Sequence, residues 1–220
     1  MNQLKLNNQK LEAALKAFRE YSKDPRFADD TKERSERKEF FQSFANKEFN
    51  ELTFSEIVKK LWAAQLWGNK DYLVEKIISG NGIEKLSTVF KAAFSKTGAP
   101  GERYEMLIQN AKGMGPSMVT EILCYIDPEN SGIWNDKARK VFEWLEAEDV
   151  PFEKYRITGR EYDDFNEVLK SLAEYLRKDG YENIDLLFVD YFIWEAWDKF
   201  ARHSERAKDT TEKMRETGNV

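Results

Sequence analysis

The run Gly113-Met114-Gly115-Pro116-Ser117 combines residue types that can hold an anion without any charged side chain. Gly113 can take the left-handed backbone that closes a helix, and Gly115 has no side chain to obstruct an approaching group. Pro116 suits a first helical position, where its missing N–H would have had no partner anyway. The N–H groups at about Ser117 to Val119 then point outward at a helix N-terminus, an arrangement that favours phosphate. The same residues also suit a tight corner between two helices with no ligand, and spacing alone does not separate the two.

About twenty residues further on, Asp136 stands at a helix start, where terminal amides keep a carboxylate ionised and oriented. A carboxylate so held can stabilise developing positive charge or activate water. A plain helix cap is equally compatible with the local sequence. Trp134 is the tryptophan placed to stack on a base; Trp62, Trp67, Trp144, Trp194 and Trp197 lie in apolar helical contexts and read as core. Lys112, Lys137, Arg139 and Lys140 can supply cations near the glycines, yet residues 102–140 hold five basic and six acidic side chains, so no broad basic face is visible. Asp190, between Val189 and Tyr191 in the most apolar stretch, reads as the buried partner of an arginine or amide, with a second functional acid as the other reading.

The run from Ile108 to Leu123 resembles the helix-hairpin-helix motif of DNA repair and replication proteins, in which a hydrophobic residue sits between two glycines and an apolar helix follows. The resemblance implies that Lys112, Gly113, Met114, Gly115 and Ser117 meet DNA, with amides on a phosphate and carbonyls able to hold a monovalent cation; no other cofactor is implied. Gly132-Ile133-Trp134-Asn135-Asp136-Lys137-Ala138-Arg139-Lys140-Val141 is similar to the segment that carries the catalytic aspartate of helix-hairpin-helix DNA glycosylases, and the match places Asp136 at that position, with Asn135 the adjacent candidate if the register slips by one; Arg139, among the cations near the glycines, is a candidate DNA contact. Leu61-Trp62-Ala63-Ala64-Gln65 resembles the stretch from which those enzymes insert a side chain, here Gln65, into the duplex. The chain departs from the family in several places. Ser117 stands where bifunctional members carry a Schiff-base lysine, Val119 replaces a small residue, the stretch from Gln65 to the glycines is short, and the iron–sulfur cysteines are missing. The resemblance therefore implies a monofunctional glycosylase acting on duplex DNA. A second likeness, to helical domains accompanying modified-cytosine restriction ATPases, implies instead a non-catalytic DNA-binding or docking module with a protein partner in a repair or restriction assembly.

The elements that must position these residues read as helices throughout. The fold class is all-α: a compact domain of about eight to ten helices over residues 1–203, with the hairpin at 102–126 and a polar tail at 204–220. Helical spacing covers residues 2–22 up to Asp24-Pro25, and residues 26–38 read as a charged loop leading into a helix that turns apolar at Phe40. Thr53-Phe54-Ser55-Glu56 reads as a capping box opening a helix to about Gly68, and Thr158-Gly159-Arg160-Glu161 as a second, opening a helix to about Lys178. Between them, helices are expected at 70–79, 83–95, 102–112 and 116–126, followed by one capped by Asn135 or Asp136. Residues 184–200 are apolar almost all round, with a strand open for their first half.

Composition bounds the rest. Hydrophobic residues reach 41% and aromatics 14%, enough for a substantial core. One cysteine, Cys124, excludes a disulfide framework and cysteine-ligated metal, and one histidine excludes a histidine metal cluster. A run of about 18 apolar residues is missing, as is a signal-peptide core, so the reading is soluble and cytoplasmic. The formal charge of -5 argues against a broadly basic nucleic-acid binder and leaves room only for a local grip.

Overall fold

The computed structural model describes residues 5–204, and among them the chain forms ten α-helices and no strand. They are α1 (Asn8–Tyr21), α2 (Pro25–Gln42), α3 (Glu51–Lys60), α4 (Lys70–Asn81), α5 (Ile83–Phe94), α6 (Pro100–Asn110), α7 (Pro116–Ile126), α8 (Asp136–Trp144), α9 (Gly159–Lys178) and α10 (Leu186–Ala196). Short 3₁₀ turns occupy Ser43–Asn46 and Ala63–Leu66, and a π-helical turn, Trp197–Ala201, extends α10. The polar tail expected at 204–220 lies, apart from Ser204, outside the described residues.

Caps explain where most helices begin. Asn7, Asn50, Asn69, Asn135 and Asp185 each accept an amide of the first turn, and Thr158 with Glu161 closes the expected capping box of α9. Two expectations are overturned by the structure. The charged stretch 26–38 is helix rather than loop: Asp24-Pro25, read as a stop, is the start of α2, with the Asp24 side chain accepting from Arg26 and Pro25 in the first turn. The box at Thr53 lies inside α3, whose cap is Asn50, and α3 ends at Lys60 instead of running on towards Gly68. Of the two readings left open for the first half of 184–200, the helix is the one formed, over Leu186–Ala196: Asp185 caps it and neighbours on several sides cover it.

The buried apolar side chains from Leu11 to Ala201 form one contiguous cluster. At its centre α7 is buried on nearly every face and packs against α2, α6, α10 and the 63–66 turn. α6 crosses α9 at paired glycines: a Cβ on Gly101 would lie 2.2 Å from the Gly159 carbonyl oxygen. At this crossing the Gly101 N–H donates to Asp163 (2.7 Å) and the Gly159 N–H to Glu105 (2.9 Å), so each helix start is satisfied by a carboxylate of the other. No helix among the described residues is long and apolar enough to cross a membrane.

Candidate nucleic-acid interface

The corner between α6 and α7 has the backbone its glycines suggest. Gly113 sits at φ +94°, a conformation that L side chains rarely adopt, and Gly115 is the extended N-cap of α7. The Met114 N–H donates to the Ala111 carbonyl (3.1 Å) and the Val119 N–H to Gly115 (3.1 Å). The free donors at the helix start are therefore those of Gly115, Ser117 and Met118, one residue earlier than the stretch expected from sequence. Gly115 and Ser117 are half-exposed, and Lys112 is exposed. Met114 points inward and is buried, so its side chain anchors the corner instead of meeting a ligand. Val119 is fully buried, accommodated in the packing of α7.

Neighbouring elements hold this corner in ways the sequence did not reveal. Asn81, the last residue of α4, clamps the Lys112 backbone from both sides, accepting its N–H (2.8 Å) and donating to its carbonyl (2.8 Å). Two corner carbonyls, those of Ala111 and Lys112, are thus already engaged by protein donors. Above Gly115 lies the exposed Tyr155, whose hydroxyl would be 2.7 Å from a Cβ at that position.

Trp134 is corrected from a base-stacking ring to a core residue. It is 1% exposed, its ring packs edge-on against Phe165, and its indole N–H donates to the Tyr155 carbonyl (3.1 Å). Arg139 is likewise turned inward at its Nε, which donates to the Phe152 carbonyl (2.8 Å). The two residues together pin the 150–157 connection that carries Tyr155. Sequence reading had no signal for this, because the partners are backbone carbonyls of a loop.

Asp136 opens α8, but the cap is its neighbour Asn135, which accepts the Ala138 N–H (2.9 Å). Asp136 is exposed and paired with Lys140 (2.8 Å). The start of α8 is tied to α7 through Thr120, whose hydroxyl oxygen accepts the Trp134 N–H (3.0 Å). Gln65 is exposed in the 63–66 turn, with the partly exposed Trp67 two residues on and Lys76 over its ring. The corner, the start of α8 and the Gln65 turn therefore all lean on α7.

Behind this surface lies a buried polar cluster. Glu121 of α7 is 2% exposed and accepts two amides, Trp62 at 2.7 Å and Ala63 at 2.9 Å, one on each carboxylate oxygen. Burial pushes its carboxyl up to about 7, opposed by those two amides and by Arg37, with Asp190 adding to the rise. Asp190 pairs with Arg34 (3.1 Å), the arginine partner expected for it, and its carboxyl is also raised by burial, with Arg34 opposing. The Arg34 and Arg37 guanidinium groups lie 4.8 and 4.4 Å from the Trp62 ring centroid. A lone acid in the apolar run from Met118 to Ile126 was the legible signal for Glu121.

A cavity of about 330 Å3 opens among Ala17, Glu20, Tyr21, Asp24, Arg26, Glu195 and Lys199, none of which belongs to the corner or to the start of α8. Among the described residues, no group of acids, histidines or cysteines is arranged to hold a metal ion. Compared with known proteins, the chain matches no family model, no curated protein and no solved structure.

Proposed function

We propose that this chain is a helix-hairpin-helix protein that grips the backbone of duplex DNA at Gly113–Ser117 without reading sequence. The observation that carries the reading is the corner itself: a left-handed Gly113 and an extended Gly115 start α7 with its first amides outside the helix's own bonding, at the half-exposed Gly115 and Ser117 and near the exposed Lys112. A grip made of amides and few cations fits a chain whose net charge is -5. Tyr155 turns aside or adds its hydroxyl when a phosphate enters. Any cation at the hairpin has to use carbonyls other than those of Ala111 and Lys112, or share these.

Base excision by Asp136 is the catalytic form of this proposal, and the tie of the α8 start to α7 through Thr120 favours it. The exposure of Asp136 and its pairing with Lys140 favour the other form, a DNA-docking module of a repair or restriction assembly. Binding of a short random-sequence duplex, followed against salt, tests what both forms share. The affinity falls with a shallow slope corresponding to a few phosphates. Gly115→Leu removes binding while keeping the helical content, because a side chain there meets Tyr155 and covers the amides. Binding by Gly115→Leu equal to that of the parent reduces the corner to a structural turn.

A further inference from the structure

The connection 61–69 is an odd piece of structure to find beside α7. Leu61 breaks out of α3 with an extended backbone, and the next residues form the 3₁₀ turn that carries Gln65 and leads to Trp67. Its first two amides, those of Trp62 and Ala63, do not close onto a side chain of the turn itself. Both go to the one carboxylate of Glu121, which belongs to the second helix of the glycine corner. The connection is therefore seated on the helix that starts at the glycine corner, by the buried Leu61 and Ala64 and the Trp62 ring against Tyr125, and by one ionisable group that holds both of its first amides.

We propose that Glu121 is a positioning residue for DNA binding: its ionised carboxylate fixes the 61–69 connection on α7, so that Gln65 and Trp67 face the duplex in register with the hairpin, and its protonation loosens that seat. The proposal rests on the DNA reading above. Ionised, the carboxylate has a charged acceptor oxygen for each amide; protonated, one oxygen becomes a hydroxyl, a neutral and much poorer acceptor, and one of the two bonds is weakened. The groups that face it set where the change occurs. Arg37 and Arg34 approach from α2, Asp190 from α10, and Cys124 and Tyr125 share its helix; the Lys60 carbonyl of α3 is held by Arg37. The one arginine that directly opposes the rise, Arg37, also stacks on the Trp62 ring, so carboxylate and turn are braced from the same side. With the carboxyl raised to about 7, the docking changes across neutral pH.

Amide chemical shifts of the isotope-labelled full chain, followed from pH 5 to 8.5 without DNA, test the docking directly. The Trp62 and Ala63 amides shift together with a midpoint near about 7 and move downfield as pH rises, and in Glu121→Gln, whose side chain has one acceptor oxygen at every pH, they do not titrate. In parallel, the parent binds a short random-sequence duplex on the order of fivefold more tightly at pH 8 than at pH 6, the effect of about one hydrogen bond, and Glu121→Gln loses that difference. Amides that stay fixed across this range in the parent overturn the docking even where DNA binds. Amides that titrate while DNA binding shows no matching pH dependence overturn the positioning role. A parent that binds no duplex at any pH overturns the DNA reading and this role together, and leaves the amide titration as a property of the fold. The parent measurements decide the matter even if Glu121→Gln does not fold.

Discussion

Asp136 and Asn135 divide between them two jobs that one residue could have held. Asn135 supplies the cap, so Asn135→Ala lowers thermal stability by about 1 kcal/mol with no direct effect on chemistry. Asp136 is exposed and contributes surface ion pairs with Lys140 (2.8 Å) and Arg139 (4.0 Å), so Asp136→Asn leaves stability within about 0.5 kcal/mol of the parent. In a panel of damaged duplexes, a catalytic Asp136 makes that same substitution abolish base release while DNA affinity stays, since the carboxylate acts on charge present only in the transition state. Strands break only after alkali treatment, because Ser117 cannot form a Schiff base. A parent that binds duplexes and releases no base from the panel assigns the chain to the docking form. Gly113 shows the opposite balance: at φ +94° an alanine is strained by about 1 to 2 kcal/mol and its Cβ lies 3.2 Å from Ile77, so Gly113→Ala lowers both stability and DNA affinity.

At the scale of elements, the crossing of α6 and α9 is the joint that sets the angle of the helix leading into the corner. Its glycines let two backbones approach until each start is capped by the other's carboxylate. A methyl group at Gly101 has backbone on its far side, not a flexible side-chain tip, and the helices must part. Gly101→Ala is therefore destabilising by about 1 to 3 kcal/mol in denaturant titration, well beyond a glycine-to-alanine change in an open helix, where alanine is the better helix former. The extent of α3 shows the reverse relation between propensity and packing. The apolar spacing through Leu66 favours one continuous helix, yet Glu121 captures the Trp62 and Ala63 amides and breaks it at Lys60.

For the whole molecule, the buried acids make stability depend on pH in an unusual direction. Glu121 binds its proton more tightly in the folded state, near about 7, than at its ordinary value of 4.5. The folded state is thus favoured most below 4.5, where both states are protonated, and loses stability as pH rises to about 7. The loss amounts to about 3 kcal/mol if Glu121 acts alone, from roughly 1.36 kcal/mol per pKa unit. Asp190, raised in the same direction, adds to it. Urea titrations at pH 5 and pH 8 check this: the parent is more stable at pH 5, and Glu121→Gln narrows the difference. Equal stability at the two values removes the buried charge as a cost of folding. The same rise in pH that weakens the fold as a whole strengthens the seat of the 61–69 connection, since the ionised carboxylate is the form that accepts both amides.

Local chemistry was enough to read helix content, the α6–α7 corner, the extent of α7, the Asn135 cap and the Thr158–Glu161 box, because each depends on residues within one turn of one another. The arginine partner of Asp190 was also legible, since an acid amid apolar neighbours demands one, although which arginine answers it was not. Only the tertiary structure decided what faces what. Trp134 looks like a ligand contact in a segment read alone, and its indole N–H goes instead to a carbonyl of the 150–157 connection; Arg139 gives its Nε–H to the same connection while its outer guanidinium lies 4.0 Å from Asp136, and no spacing rule joins either residue to that loop. Tyr155 over Gly115, Asn81 around Lys112 and Glu121 beneath the Gln65 turn are contacts between segments roughly 30 to 60 residues apart. Such pairings follow from how the helices pack about α7, and packing is decided by the summed burial of the entire core, to which each local pattern contributes only a small part.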